Sequence, residues 1–261
     1  MKLLMKYLAV SIIFLSILTQ GVLAANKYTT AELINIAGMQ RMLSQKIAKS
    51  YFFYGKGVRP EKTRKQLMDS IALFDKNYHI LLNNISDDNV KDMLVFVEMN
   101  KDELLPIAKK PFSKDNGLLM LDYSETLLEA SNDIVKRIEN TTNKKIDKIV
   151  NLSGRQRMLT QRIAKFYIAY QSGFKDVNTI NQLKQSMQEF EQAHVVLANN
   201  KRKSKQITDE LNKVAKLWNI VSKFYKDVQR GGLPVIVLSS TDKIMAAMNR
   251  ITQMYVELGK K

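Results

Sequence analysis

The sequence predicts an all-α protein made of two tandem four-helix bundles, and three observations support this prediction. A long segment occurs twice, apolar residues recur with the period of a helix, and glycine and proline fall between the periodic segments. The 261 residues include no cysteine, so disulfides and thiolate metal sites cannot contribute to the fold. Buried helix faces must therefore supply the stability of the protein.

The internal repeat is the strongest of these observations. Residues 35–54 read NIAGMQRMLSQKIAKSYFFY and residues 151–170 read NLSGRQRMLTQRIAKFYIAY, so 12 of 20 positions are identical at an offset of 116 residues. A shift of one further residue aligns Asn132 with Asn249. The duplication therefore spans nearly all of the chain after its N-terminal segment.

The repeat predicts two helical domains, residues 25–142 and 143–261. Each is within the usual size range of one core, so we expect that each could fold alone. Residues 139–148, at the junction, are polar but contain neither glycine nor proline. This leaves open whether the junction is a turn or one continuous helix.

Within each copy the apolar spacing is helical. In the first copy Leu33, Ile36, Leu43, Ile47 and Tyr51 are spaced by three, four or seven residues, which places one helix face in a core. With breaks that include Pro106 and the longer connection from residue 111 to 117, the predicted helices cover residues 29–55, 60–84, 87–107, 117–140, 145–172, 176–200, 203–229 and 235–258. Four such helices per copy indicate an antiparallel bundle, although residues 235–238 are apolar enough to form a short strand instead.

The first 24 residues resemble a secretory signal peptide. Two lysines precede an apolar run from Leu8 to Leu18, and small residues end at Ala24. The run is shorter than the about 20 apolar residues of a spanning helix, so we predict cleavage near Ala24, with an uncleaved anchor as the alternative. The expected location is the periplasm.

The formal net charge of +16 limits which kinds of binding partner are plausible. An exported protein meets little nucleic acid, so we expect none as a partner; anionic lipids, acidic polymers, an acidic protein or a small anion are better candidates. The alternative is a lysine-rich solvated surface with no specific partner.

Two glycines within predicted helices mark the candidate site. Gly38 and Gly154 each cost about 1 kcal/mol relative to alanine, so something must offset them. Arg41 lies on the same helix face as Gly38, beside the apolar face, and Arg157 accompanies Gly154 in the same way. A face of small residues allows a second helix to approach closely and points an arginine into the contact. The alternative is that each arginine pairs with an acid of its own bundle or extends to solvent.

These residues carry a resemblance to known sensors. The pattern Asn-x-Ala-Gly-x-x-Arg-Met, which begins at Asn35 and recurs from Asn151 with Ser153 in place of alanine, resembles the P-box of nitrate/nitrite sensor kinases. Extended through Gln45 and its equivalent Gln161, it is more similar to the PilJ-type domain, the N-terminal module of type IV pilus methyl-accepting transducers. The chain thus resembles two PilJ-type domains in tandem.

The resemblance implies a four-helix bundle and an anion site. In the nitrate sensors, P-box arginines of two subunits hold one nitrate at a dimer interface, which implies a ligand site formed here by Arg41, Arg157, Gly38, Gly154, Gln45, Gln161, Asn35 and Asn151. We therefore predict a periplasmic protein that binds a small oxyanion such as nitrate or nitrite and signals through a membrane-bound sensor or transducer. Whether the chain forms a homodimer stays open. The alternative function is an interaction module for pilus or envelope proteins that binds no small molecule.

Other candidates for chemistry are weak. His79 and His194 are not at equivalent repeat positions, so we interpret them as ordinary helix residues rather than metal ligands. No catalytic motif or phosphate-binding glycine loop occurs in the sequence. We therefore expect neither enzymatic activity nor a cofactor or metal.

Overall fold

The computed structural model describes residues 28–260, which form eight α-helices and no strand. In chain order they are α1 (Thr30–Gly55), α2 (Pro60–Asn84), α3 (Asp88–Lys109), α4 (Lys114–Asn140), α5 (Lys145–Gln171), α6 (Val177–Asn199), α7 (Lys205–Lys226) and α8 (Pro234–Gly259). A short 3₁₀ turn, Val228–Arg230, precedes α8. The all-α prediction is confirmed.

Four details differ from the sequence prediction or settle an alternative. α7 ends at Lys226 rather than at 229, because a 3₁₀ turn replaces its predicted last residues. α3 continues through Pro106 to Lys109, since a proline in the last turn removes only one hydrogen bond of the helix. α4 begins at Lys114 rather than at 117, because the Ser113 side chain caps it by accepting from the Asn116 N–H. Residues 235–238 belong to α8.

The junction between the two copies is a turn. Residues 141–144 separate α4 from α5, so the chain does not continue as one helix. The predicted boundary between residues 142 and 143 lies in this turn, and the division into two independent domains stays a prediction.

Each half has the same arrangement of helices. The first helix packs against the second and the fourth, and the third packs mainly against the fourth. The second and third helices touch only slightly. α1–α4 and α5–α8 thus repeat one bundle, as the sequence repeat predicts.

The most extensive contact between any two helices joins α1 to α5, across the two halves. Each of these helices is consequently surrounded by helices of its own half and of the other. Between residues 40 and 53 of α1 only Lys46 is not buried, although the segment includes Gln40, Arg41 and Lys49. The predicted apolar face of α1 is buried, as Leu43, Ile47 and Tyr51 show, and most of the remaining surface of this segment is buried as well because α5 covers it.

The shared α1–α5 contact also bears on whether each half folds alone. Separation of the halves would expose two helices that are buried around most of their circumference. The apolar residues of both halves form one continuous core.

The predicted signal segment, residues 1–24, lies outside the described residues. Between residues 28 and 260 no helix has an apolar stretch long enough to cross a bilayer.

Candidate functional site

The two internal glycines face each other across the α1–α5 contact. A Cβ atom added to Gly38 would lie 3.2 Å from Nη2 of Arg41 and 3.6 Å from Nη2 of Arg157. At Gly154 the corresponding distances are 3.2 Å to Arg157 and 3.7 Å to Arg41. Both guanidinium groups therefore occupy the space that the absent side chains leave, and both border the same point of the interface.

Arg41 is held by asparagines of both halves. Its Nη1 donates to Oδ1 of Asn132 on α4 at 3.1 Å, and its Nη2 donates to Oδ1 of Asn151 on α5 at 2.8 Å. The Asn151 amide in turn donates to the carboxylate of Glu139. Arg41 thus reaches a negative charge only through an intervening amide.

Arg157 has the equivalent partners. Its Nη1 donates to Oδ1 of Asn249 on α8 at 2.9 Å, and its Nη2 donates to Oδ1 of Asn35 on α1 at 2.8 Å. Nη1 also contacts the sulfur of Met39 at 3.1 Å. We call the two arginines with Asn35, Asn132, Asn151 and Asn249 the arginine layer.

Both arginines are buried without a counterion. Each residue is 1% exposed, and neither forms a salt bridge with any residue in the described range 28–260. The Nε atom of each has no hydrogen-bond partner there either. Within the described residues, each arginine thus neither pairs with an acid of its own bundle nor reaches solvent, so the structure does not support that alternative.

Burial shifts the titration of both groups. Desolvation and the charge of Arg155 lower the pKa of Arg41 to about 10, against the opposing effect of Glu139. Desolvation and the charge of Arg41 lower the pKa of Arg157 to about 9. Both remain cations at neutral pH, so the interface holds two unneutralised charges whose burial is costly.

The asparagines separate the guanidinium groups from solvent. Asn35, Asn132 and Asn151 are half-buried and Asn249 is exposed. Asn132 and Asn249 were not among the predicted site residues, although the repeat aligns them and so contained the signal.

The two predicted glutamines lie away from the arginine layer. Gln45 Nε2 donates to the carbonyl of Ser124 at 2.8 Å, and the Gln161 amide is buried with no hydrogen-bond partner within the described chain. Neither glutamine hydrogen-bonds to Arg41 or Arg157 in the described chain. The structure therefore brings six of the eight predicted residues together and leaves the glutamines about one turn further along the helices.

A second polar layer crosses the same interface. Lys49 of α1 pairs with Asp242 of α8 at 3.1 Å, and its repeat equivalent Lys165 of α5 pairs with Glu125 of α4 at 2.6 Å. Each lysine thus reaches an acid of the opposite half. We call these four residues the lysine layer; the sequence repeat includes both lysines, but helical periodicity does not show which helix lies across from them.

Acids of the protein itself neutralise the two lysines of the lysine layer. Although Lys49 and Lys165 are 0% exposed, burial lowers the pKa of each only to about 8 because the paired acid opposes the shift. For Glu125, burial would raise the pKa, but Lys165 and Arg162 outweigh it and lower the pKa to about 2. Arg162 also donates to Glu125, and Lys62 pairs with Asp242 at 2.6 Å.

The two histidines have different neighbours. His79 lies 3.7 Å from Asp75 on an exposed face, and His194 stacks on Phe190. Over residues 28–260 no group of three or more candidate ligands could hold a metal ion.

Comparison with known proteins agrees with this architecture. The family model described as "Type IV pili methyl-accepting chemotaxis transducer N-term" (PilJ) matches residues 23–93 and 139–243. Its members are sensory domains of transducers that act with signalling partners, are periplasmic and are not known as enzymes. No curated protein and no solved structure matches the chain. The two matched segments start each half and together cover more than half of the sequence, so the chain belongs to the PilJ family of transducer N-terminal sensory domains.

Proposed function

We propose that this protein is an exported sensor that binds one small oxyanion between Arg41 and Arg157, with nitrate and nitrite as the main candidates. The observation that carries the proposal is the pair of fully buried guanidinium groups, neither of which forms a salt bridge with an acid among residues 28–260. A planar oxyanion matches the fork of a guanidinium, and charge-assisted hydrogen bonds are among the strongest in proteins. One anion shared by both arginines would neutralise part of the buried charge.

The asparagines suit such a ligand. Each now accepts a hydrogen bond from a guanidinium through its side-chain oxygen. Rotation of the amide would instead present its NH₂ group to the anion, so the same residue can hold the free arginine or donate to the ligand. Anion binding would then change the orientation of four side-chain amides, which four helices contribute.

Signalling would follow from the place of the site. Since it lies in the α1–α5 contact, an anion that draws the arginines together alters the packing of one half on the other. We propose that a membrane-bound sensor or transducer reads this change, because the family consists of transducer domains that act with partners.

Titration calorimetry on the chain from residue 25 onward tests the proposal. We expect nitrate or nitrite to bind with about one anion per chain, and sulfate and chloride to bind more weakly. Arg41→Ala and Arg157→Ala should each weaken binding by about tenfold to a hundredfold, and lysine at either position should restore it only in part.

Arg64→Ala is the matched control. Arg64 is an exposed arginine of α2 and makes no hydrogen bond to the arginine layer in the described residues, so its loss removes the same charge from the protein but should change affinity little. No binding of any of the four anions to the wild type, with unfolding of both arginine variants, would favour an interaction module in which the arginines only support the fold.

A further inference from the structure

A cluster of unpaired cations lies at one pole of the second half. The start of α5 with the turn before it and the loop between α6 and α7 meet there, and the cations they supply are Lys144, Lys145, Lys148, Lys201, Arg202 and Lys203. None of these six forms a salt bridge with a described residue. The acid nearest in sequence, Asp147, is 1% exposed and presents no carboxylate to the surface. We call this cluster the basic pole.

The basic pole surrounds an open cleft of about 920 Å³. Its floor includes Ile146 and the end of α8 at Leu258 and Gly259. A second cleft beside it contains Val195 and Val196, which are 58% and 53% exposed. The surface therefore combines dense positive charge with aliphatic side chains that face solvent.

The described loop of the first half that corresponds to residues 201–204 lacks these cations. This loop, between α2 and α3, reads Ile85-Ser86-Asp87-Asp88 where the second half has Lys201-Arg202-Lys203-Ser204. Asp87 also caps α3 through the Val90 N–H. The charge is thus a property of one half and not of the repeated bundle.

We propose that the basic pole is a binding surface for membranes that contain anionic phospholipids. Clustered lysine and arginine side chains attract anionic headgroups additively, and neighbouring aliphatic side chains can enter the interfacial region. An acidic protein segment would match the charge but would leave the two exposed valines unexplained. The same pole carries the start of α1, since Gly259 packs near Ala31 and Lys260 pairs with Glu32.

Vesicle sedimentation with the chain from residue 25 onward tests this proposal. The protein should bind vesicles of phosphatidylcholine with phosphatidylglycerol and not vesicles of phosphatidylcholine alone, and salt should weaken the binding. Reversal of charge by K201E, R202E and K203E together should lower binding by about a hundredfold or more. Replacement of both valines by asparagine should lower it less and leave its salt dependence in place.

A matched variant distinguishes the effect of the basic pole from the effect of the net charge of the protein. K56E, K114E and K175E together change the net charge by the same amount at exposed positions of the opposite pole, and binding should be nearly unchanged. Helical circular dichroism must be retained by every variant. Equal losses in the two triple variants would overturn the proposal, as would equal binding to both kinds of vesicle. Binding to soluble polyglutamate that is tighter than to vesicles and indifferent to the valines would assign the surface to an acidic protein instead.

Discussion

The arginine layer and the lysine layer lie about 12 Å apart along the same two helices, and they differ in whether an acid of the protein pairs with the buried cation. In the lysine layer each cation meets an acid of the other half directly. In the arginine layer both cations meet only neutral side chains, and Glu139 reaches Arg41 through Asn151. The fold is thus able to supply carboxylates at this interface and does so in one layer alone.

The difference separates two uses of a buried cation. A cation that only joins two helices is best matched by an acid from within the protein, since an unpaired buried charge is costly. A cation that receives an external anion must lack a built-in competitor. The lysine layer fits the first use and the arginine layer fits the second.

The largest effect should come from removal of an acid in the lysine layer. Asp242→Asn leaves Lys49 as a buried charge without its partner, so we expect a loss of about 3–5 kcal/mol in the free energy of unfolding, measured in urea. Asp69→Asn is the control, since Asp69 is exposed and pairs with Lys65 on the surface; its loss should change stability by less than about 1 kcal/mol. Similar small losses in both variants would mean that the lysine layer does not join the halves.

Acid should weaken the same layer. The pKa of Glu125 is lowered from its ordinary value of 4.5 in the unfolded chain to about 2 in the folded protein, so its stabilisation is complete above pH 4.5 and is lost as the pH falls toward 2. The loss should be on the order of 3 kcal/mol. Urea unfolding over this pH range measures it, and Glu125→Gln should flatten that part of the profile. An unchanged profile in the variant would place the acid sensitivity elsewhere.

A carboxylate introduced into the arginine layer should give Arg41 a direct counterion, as each lysine has in the lysine layer. Asn132→Asp places an acid beside Nη1 of Arg41, where the amide oxygen now lies at 3.1 Å. We expect the ligand-free protein to gain about 1 kcal/mol and its affinity for nitrate to fall by about tenfold or more. Denaturation and calorimetry on one preparation give both values. An affinity equal to that of the wild type would mean that Arg41 does not contribute to anion binding.

The smallest effect should come from the glycines. In Gly38→Ala the new Cβ would lie 3.2 Å from Arg41 Nη2, so the guanidinium must shift by a few tenths of an ångström. The gain of about 1 kcal/mol in helix propensity offsets this crowding, so stability should change little while affinity falls by less than about tenfold. Gly259→Ala, whose Cβ would make ordinary contacts at 3.5 Å, is the control and should leave affinity unchanged. Equal affinity in both variants would mean that the fit at Gly38 is loose.

The sequence predicts the helices well because each one carries a local signal. Most predicted ends lie within two residues of the observed ends. The errors at Pro106 and residue 114 concern how far a helix tolerates proline or begins at a serine cap, and the predicted end at 229 is three residues beyond Lys226 because a 3₁₀ turn follows α7. The repeat also identifies Arg41 and Arg157, since their spacing from the glycines is the same in both copies.

Contacts between helices are harder to predict from the sequence than the helices themselves, because periodicity shows which face is buried and not which helix covers it. Nothing local to Lys49 indicates that its acid is Asp242, which lies in the last helix. The burial of α1 on all sides depends on α5, which a reading of one copy at a time does not include. The motif alone predicts Gln45 and Gln161 as site residues, and it does not show that Gln45 instead donates to the Ser124 carbonyl of α4 one turn away.

The turn at residues 141–144 has a consequence for how the site is maintained. A site shared by two separate subunits disappears on dilution below their dissociation constant. Here four residues tether the two halves, so each is always present at a high effective concentration for the other. The arginine layer is therefore complete in a single molecule, however few copies a cell contains.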